Sequence, residues 1–173
     1  SKAFEGKWGY LHAYASGGDT KKALDGLGNK FETLNLGVKP YPSCRYSHAA
    51  IDGIIDLKKE LDFSIDDLDD IDIGLSETAL NIIGYPLEDK QNPKSIVDGQ
   101  FSMPFCAAVA VKSGGLKWDD YKDHLNNNET LALCNKVKVN PDKDAEKCCP
   151  EFMSAKVKMV VKGKTYEKFV KIP

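Results

Sequence analysis

The sequence predicts an α+β fold, in which a small, mostly antiparallel sheet is packed by helices. Apolar residues recur at helical spacing in two segments, 47–61 and 94–112. Apolar and polar residues alternate over 71–76 and again over 155–172, which is the pattern of half-buried strands. The predicted order is helices, strand, helix, strand, helices and two strands, and this order favours a sheet covered by helices on one face.

The first 38 residues are predicted to contain two helices and a strand. Residues 3–15 place aromatic and aliphatic side chains roughly on one side and therefore indicate a helix. Asp19 can cap a second, short helix over 21–27. Residues 31–38 alternate enough to indicate a strand. A proline-rich hinge then leads into the helix over 47–61, whose apolar residues fall at helical spacing.

The middle of the chain is predicted to run from a strand through a loop into a buried helix. The strand over 71–76 alternates isoleucine and leucine with polar residues. Turn-forming residues predict a loop over 85–93. Residues 94–112 predict a long, largely buried helix, with Pro104 near its middle or at its start.

The last third is predicted to hold two short helices and a hairpin. The helices cover 118–125 and 129–137, and asparagines between them can cap the second. The hairpin over 155–172 has one apolar side and one rich in lysine. Those lysines indicate a solvated edge that discourages further pairing of strands, rather than a surface for nucleic acid.

Composition narrows the class of protein. A length of 173 residues fits one domain, or one domain with an appendage. The chain is 42% hydrophobic and 29% charged, which is typical of a folded core. The net charge of -2 gives no basic field for nucleic acid or anionic lipid. The apolar run at 101–111 is shorter than the about 20 residues of a membrane span. No nucleic-acid or membrane partner is therefore expected.

The number and spacing of the five cysteines indicate a reducing compartment rather than a disulfide framework or a metal site. They stand at irregular spacing, at Cys44, Cys106, Cys134, Cys148 and Cys149. An odd number at such spacing is a poor disulfide framework, so reduced thiols in the cytoplasm or the mitochondrial matrix are expected. The chain shows no spacing typical of metal ligands, and no metal site is predicted.

One segment of the chain contains charged and potentially reactive side chains that indicate a functional site. It runs from Lys39 to His48 and reads Lys-Pro-Tyr-Pro-Ser-Cys-Arg-Tyr-Ser-His. Its prolines stiffen a short extended stretch. The helix that follows offers unpaired N–H groups and a positive dipole end. With Lys39 and Arg45 close to that helix start, the segment predicts a pocket for a carboxylate or a phosphate.

Each of these residues also has a plain structural interpretation. Lys39 can be a surface lysine before a turn, and Arg45 can form an ordinary salt bridge. His48 can act as a general acid or base, or its ring can satisfy nearby backbone groups. Cys44 can be an activated thiol at a helix start or a small buried filler. The residues alone leave these alternatives open.

Two motifs together resemble the MmgE/PrpD family. The first is Lys39-Pro-Tyr-Pro42, with His48 nine residues after the lysine and then Ala50-Ile-Asp52. The second is Asp98-Gly-Gln-Phe-Ser-Met-Pro-Phe105, followed by Cys106-Ala-Ala-Val-Ala-Val111. The resemblance extends over almost the whole chain, and the two motifs are more specific together than singly.

The resemblance implies a lyase acting on a citrate-like di- or tricarboxylate. The family contains 2-methylcitrate dehydratase, cis-aconitate decarboxylase and iminodisuccinate epimerase. Its enzymes combine a large helical domain with a smaller α+β lid domain, place the active site between the two, and are usually homodimers. Residues 1–16 are then expected to be the end of a helix from the helical domain, and 17–173 to be the lid. The missing helical domain and a small carboxylate are the expected partners, and no cofactor is implied.

The resemblance also assigns roles to particular residues. Lys39 and His48 are the expected catalytic residues, and the expected substrate-binding residues are Lys39, Arg45, Cys44, Gln100 and Phe105. A simpler interpretation places Phe105 in the core of the lid. The family's other catalytic residues belong to the part that precedes this chain, so the isolated chain is expected to be inactive.

Two positions depart from the family's pattern. Some family decarboxylases have a histidine five residues after the motif lysine, where this chain has Cys44. The family often ends the second motif with tyrosine, whereas Phe105 has no hydroxyl group to donate a proton or a hydrogen bond. A dehydratase is the first expectation. A decarboxylase, an epimerase and a non-catalytic module that binds a carboxylate or a protein are the alternatives.

Overall fold

The computed structural model describes residues 2–16, 18–19, 22 and 24–173. The chain falls into two compact units, Ser1–Val38 and Lys39–Pro173. The predicted domain boundary after residue 16 stays a prediction. In the part of the chain that the structure describes, no helix is both long enough and apolar enough to cross a membrane.

The first unit contains short helical pieces. Helix α1 covers Lys2–Glu5 and α2 covers Tyr10–Ala15. The helix predicted over 3–15 is therefore interrupted, because Gly6 and Gly9 form a turn in which Gly9 N donates to Gly6 O at 2.7 Å. The helix predicted over 21–27 includes residues that lie outside the described part of the chain.

The strand predicted over 31–38 is wrong. The structure has a 3-10 turn at Glu32–Asn35 instead. The four strands of the sheet come from later segments of the chain. Without a neighbouring strand to bury one face, the apolar residues of this segment, Phe31, Leu34, Leu36 and Val38, are exposed. Alternation alone does not specify a strand when no partner covers it.

The second unit is built on a four-stranded sheet. Its strands are β1 (Leu68–Leu75), β2 (Val137–Pro141), β3 (Ala155–Val161) and β4 (Lys164–Val170). The spatial order is β2–β1–β3–β4, in which β1 pairs with β2 in parallel and the other two pairs are antiparallel. This confirms the predicted α+β class with a small, mostly antiparallel sheet, as well as the predicted strand over 71–76 and the closing hairpin.

Helices fill the connections between the strands. They are α3 (His48–Leu61), α4 (Glu77–Ala79), α5 (Leu87–Gln91), α6 (Ile96–Gln100), α7 (Met103–Ser113), α8 (Asp120–His124), α9 (Asn128–Cys134) and α10 (Lys143–Cys148). A π-helical turn at Leu80–Gly84 continues α4. The helices predicted over 47–61 and 118–125 are confirmed.

The helix predicted over 94–112 is two helices, α6 and α7. Ser102 lies between them and caps α7, since its side chain accepts a hydrogen bond from Phe105 N at 3.0 Å. Pro104 stands in the first turn of α7, where its missing N–H would be unpaired in any residue. The proline therefore starts a helix rather than bending one.

Two further predictions needed correction. The helix predicted over 129–137 ends at Cys134, and β2 begins at Val137. The predicted loop over 85–93 contains α5, and α10 was not predicted. Strand β2 buries only Val137 and Val139, so its alternation is too short to be recognised without the neighbouring strand β1.

The two faces of the sheet differ in chemistry. Isoleucines of β1 and alternate residues of β3 are buried in one core together with α3 and α7. The opposite face carries ion pairs, including Lys138 with Asp70 at 2.8 Å and Lys158 with Glu167 at 3.6 Å. Helices on one face and water on the other match the arrangement expected for an antiparallel sheet of this kind.

Close packing of α3 on the hairpin depends on Gly53. A Cβ atom at this position would lie 2.9 Å from Val157 Cγ2 and 3.4 Å from Val170 Cγ2. Both neighbours are stiff, β-branched side chains that cannot move away easily. Glycine is therefore required by the approach of the helix to the sheet.

We expect Gly53→Ala to lower the free energy of unfolding by about 1–2 kcal/mol, because overpacking of the core outweighs the better helix propensity of alanine. Urea denaturation measures the change. Gly115→Ala is the matched control, since a Cβ there meets nothing within 4 Å, and its effect should stay within about 0.5 kcal/mol. Equal stability of the Gly53 variant and the native chain would contradict this account of the packing.

Candidate functional site

The segment from Lys39 to His48 is a bent loop that leads into α3. A 3-10 turn at Arg45–Ser47 joins the loop to the helix, which begins at His48. Inside this loop the buried hydroxyl groups of Ser43 and Ser47 lie 2.8 Å apart, and Ser47 Oγ also donates to Cys44 O at 2.8 Å. The loop is therefore shaped by its own side chains as well as by its prolines.

Lys39 and His48 meet at one acceptor. Lys39 Nζ donates to the carbonyl oxygen of Ser43 at 3.2 Å, and His48 Nε2 lies 3.4 Å from the same oxygen. A carbonyl oxygen only accepts hydrogen bonds, so Nε2 carries the ring proton and Nδ1 carries the lone pair. The two predicted catalytic side chains are thus brought together by the loop between them.

His48 is fully buried and its ring is held on several sides. The ring of Tyr41 meets it edge-on, with the centroids 5.3 Å apart and the planes at 90°. Tyr41 in turn donates a hydrogen bond from its hydroxyl group to Asp52 in α3. Burial lowers the pKa of His48, and the positive charges of Arg45 and Lys39 lower it further, against the opposing effects of Ser43 O and Asp52. The ring is therefore neutral near neutral pH.

Two buried nitrogen atoms of the site have no hydrogen-bond partner among the described residues. They are Nη1 of Arg45 and Nδ1 of His48. No carboxylate in the described part of the chain forms an ion pair with Arg45, so the ordinary salt bridge considered from the sequence is not found there. A buried polar atom without a partner costs about 1–3 kcal/mol, so both atoms need an explanation.

The second motif supports the loop. Gln100 Nε2 donates to Pro42 O at 3.0 Å, and Gln100 O accepts a hydrogen bond from Cys44 N at 2.9 Å. Cys44 itself is half-buried, with a free thiol. Phe105 is fully buried and stacks on Tyr121, with centroids 5.8 Å apart. Contact of Gln100, Cys44 and Phe105 with a substrate stays a prediction.

Tyr121 is the residue near the site that the sequence did not indicate. Its hydroxyl group donates to Pro42 O at 3.0 Å, across 79 positions of the chain. It lies in α8, whose sequence carries no motif. Only the fold brings this tyrosine to the loop, so no signal in the sequence could have identified it.

A pocket lies elsewhere on the second unit. It has a volume of about 790 Å³ and is lined by residues from Ile82 to Phe101, among them Pro86, Lys90 and Val97. None of the predicted site residues lines it. In the described part of the chain, no group of three or more His, Cys, Asp or Glu side chains is arranged to hold a metal ion.

Residues 41–173 match the family model described as the MmgE/PrpD C-terminal domain. The chain belongs to the MmgE/PrpD family. The resemblance of the two motifs is thereby confirmed, although the match begins at Tyr41, two residues after Lys39. A comparison with curated proteins finds no significant match. Membership of the MmgE/PrpD family gives the chain a lyase context.

We expect the free energy of unfolding to fall as the pH drops below about 6.5, the ordinary pKa of histidine. The pKa values of His48 and His124 are lowered by burial in the native state, so the unfolded chain binds protons that the native rings do not. The loss is at most about 1.4 kcal/mol per pH unit for each ring.

Denaturation at several pH values from about 7 down to about 5.5 measures this slope, above the range in which carboxylates titrate. His48→Gln should make the slope shallower, whereas His12→Gln, at an exposed position, serves as the control. A slope that is unchanged in the His48 variant would show that its native ring titrates normally.

Proposed function

We propose that this chain is the lid portion of an MmgE/PrpD lyase that acts on a citrate-like di- or tricarboxylate, with dehydration of the 2-methylcitrate type as its reaction. One observation carries the proposal: Lys39 and His48 converge on Ser43 O in a loop that also holds Arg45 Nη1, a nitrogen without a partner in the described part of the chain. Family membership supplies the lyase context.

A carboxylate would supply what this group of residues lacks. The Lys39 ammonium uses one of its three N–H groups on Ser43 O, and Arg45 Nη1 has no acceptor among the described residues. A carboxylate accepts from both cations and is held most specifically by the planar guanidinium group. When a proton leaves the carbon next to that carboxylate, negative charge develops there, and a positioned ammonium stabilises it.

His48 is proposed to move the proton. With Nε2 donating to Ser43 O, the lone pair of Nδ1 is the basic site, and this atom has no partner among the described residues. The lowered pKa keeps the ring neutral and able to accept a proton at neutral pH. The ring is fully buried in the lid, so this role requires that substrate and Nδ1 meet when the complete site is assembled.

The proposed partner is the helical domain of the same enzyme. Large apolar side chains in the first unit lie open to solvent, with Trp8 89% exposed and Val38 93% exposed. Exposed apolar surface of this kind is typical of contacts with another domain. A homodimer of the complete enzyme, in the cytoplasm or the mitochondrial matrix, belongs to the same proposal, which assigns no cofactor.

A second candidate is a module that binds a carboxylate without turnover. One observation favours it: Phe105 is fully buried against Tyr121 and has no hydroxyl group to place near a substrate. Decarboxylation, by a lyase, and epimerisation, by an isomerase, are the alternatives to dehydration, because all three reactions take place at a carbon next to a carboxylate.

We expect Lys39→Met to weaken citrate binding about tenfold or more, since it removes one charge-assisted contact worth about 1.4 kcal/mol. Isothermal titration calorimetry of the 173-residue chain at low salt measures the affinity. Lys164→Met is the matched control, because it removes an equal charge from an exposed position on β4. Equal affinities in the two variants, or no binding of citrate by the native chain, would remove the proposed carboxylate site.

We expect the chain alone to convert neither 2-methylcitrate nor cis-aconitate, since the proposal places most of the chemistry in the helical domain. NMR of the reaction mixture detects either product. The same assay on a polypeptide that includes a helical domain should show turnover, and Lys39→Met should reduce it about 10²–10³-fold. Turnover by the chain alone would contradict the proposal, whereas binding without turnover in the longer polypeptide would favour the second candidate.

A further inference from the structure

The carbonyl oxygen of Pro42 accepts two hydrogen bonds from distant parts of the chain. Gln100 Nε2 and the hydroxyl group of Tyr121 each donate to it at 3.0 Å. The donors stand 58 and 79 positions away in sequence. Pro42 directly precedes Ser43, whose own carbonyl is the acceptor shared by Lys39 and His48. The hydrogen bonds that hold the carbonyl group of Pro42 in place therefore also restrain the carbonyl oxygen of Ser43.

Gln100 holds the loop on both sides of Ser43. Its side chain donates to Pro42 O, and its own backbone oxygen accepts from Cys44 N at 2.9 Å. Residues before and after Ser43 are thus tied to a single residue at the end of α6. A side chain that merely faced a substrate cleft would not need the contact with Pro42 O.

Tyr121, like Gln100, is held in a position from which it donates to Pro42 O. It is fully buried, and its ring stacks on Phe105 with the planes at 21°. Gly99 makes room for this pair, because a Cβ there would lie 3.1 Å from Tyr121 and 3.2 Å from Phe105. Burial raises the pKa of Tyr121 above its ordinary value, so the phenol keeps its proton and remains a donor.

We propose that Gln100 and Tyr121 form a clamp on Pro42 O that positions Lys39 and His48 for ligand binding. Both are positioning residues, since each acts through the loop and neither is assigned a contact with the substrate. The importance of the clamp for activity rests on the proposed function. The clamp itself rests only on the contacts of Pro42, Ser43 and Cys44.

The pKa of His48 depends on the position of the loop, so it can be used to test the clamp in the absence of any ligand. The groups facing it are Lys39 and Arg45, which lower its pKa, Ser43 O and Asp52, which raise it, and Tyr41, whose ring packs on it. If Ser43 moves, the ring loses its burial and its neighbour Lys39, which lower the pKa, and also its contact with Ser43 O, which raises it. Burial is the largest of these effects, so its loss decides the direction of the shift. The pKa of His48 should then rise towards the ordinary value of histidine.

The test uses Gln100→Met, Tyr121→Phe and the double variant of the full chain. Methionine keeps the bulk of glutamine and the backbone contact to Cys44, while phenylalanine keeps the ring on Phe105. NMR titration of the histidine rings should show the midpoint of His48 raised by about half a pH unit in the double variant. Each single variant should shift it in the same direction by a smaller amount, because the other donor to Pro42 O remains.

Thr130→Val is the matched control. It also removes one hydroxyl group, which contacts His124 at 2.8 Å, and should lower the melting temperature without moving His48. An unchanged His48 midpoint in both single variants overturns the clamp, even if the double variant does not fold. The titration contains no ligand, so its outcome is independent of the citrate experiment, and either proposal can fail while the other stands.

Discussion

Burial of α3 against the sheet is the constraint on which the site depends. Ala49, Ala50, Ile51 and Ile54 are fully buried, and Gly53 lets the helix approach β3 and β4 closely. Each buried isoleucine contributes about 1.5–3 kcal/mol, whereas one hydrogen bond contributes about 1 kcal/mol net. Apolar packing therefore decides where α3 lies, and polar contacts decide only how the loop before it is oriented. His48 is the first residue of that helix, so its position is set by the core.

The elements that could be predicted from the sequence are those whose pattern is complete in itself. Helix α3 shows several turns of apolar spacing, and β1 and the closing hairpin alternate over enough residues to be recognised. Strand β2 could not be predicted, because its five residues can be recognised as a strand only from their pairing with β1. The segment 31–38 shows the reverse case, since it alternates but has no strand to pair with, and it forms a 3-10 turn.

In the candidate site too, some of the contacts could be predicted from the sequence and others could not. Lys39, Arg45 and His48 are near neighbours in sequence, and a loop between prolines and a helix start brings them together, so their proximity could be predicted. Gln100 was recognised from a motif, but its contacts with the loop at Pro42 and Cys44 could not be inferred, because they join residues more than fifty positions apart. Tyr121 belongs to no motif and becomes visible only in the folded chain.

A purely structural interpretation of the loop explains some of its residues and fails for others. Ser43, Ser47 and Gln100 have their polar groups paired, as a stable turn requires. Arg45 Nη1 and His48 Nδ1 are buried without partners among the described residues, and an ordinary turn gains nothing from such atoms. An unpaired donor and an unpaired acceptor in one preorganised loop suit a ligand that has both an anionic group and a proton to exchange. That combination is what distinguishes a hydroxy acid from a simple anion such as sulfate, and it is the reason for favouring a carboxylate substrate over a structural role.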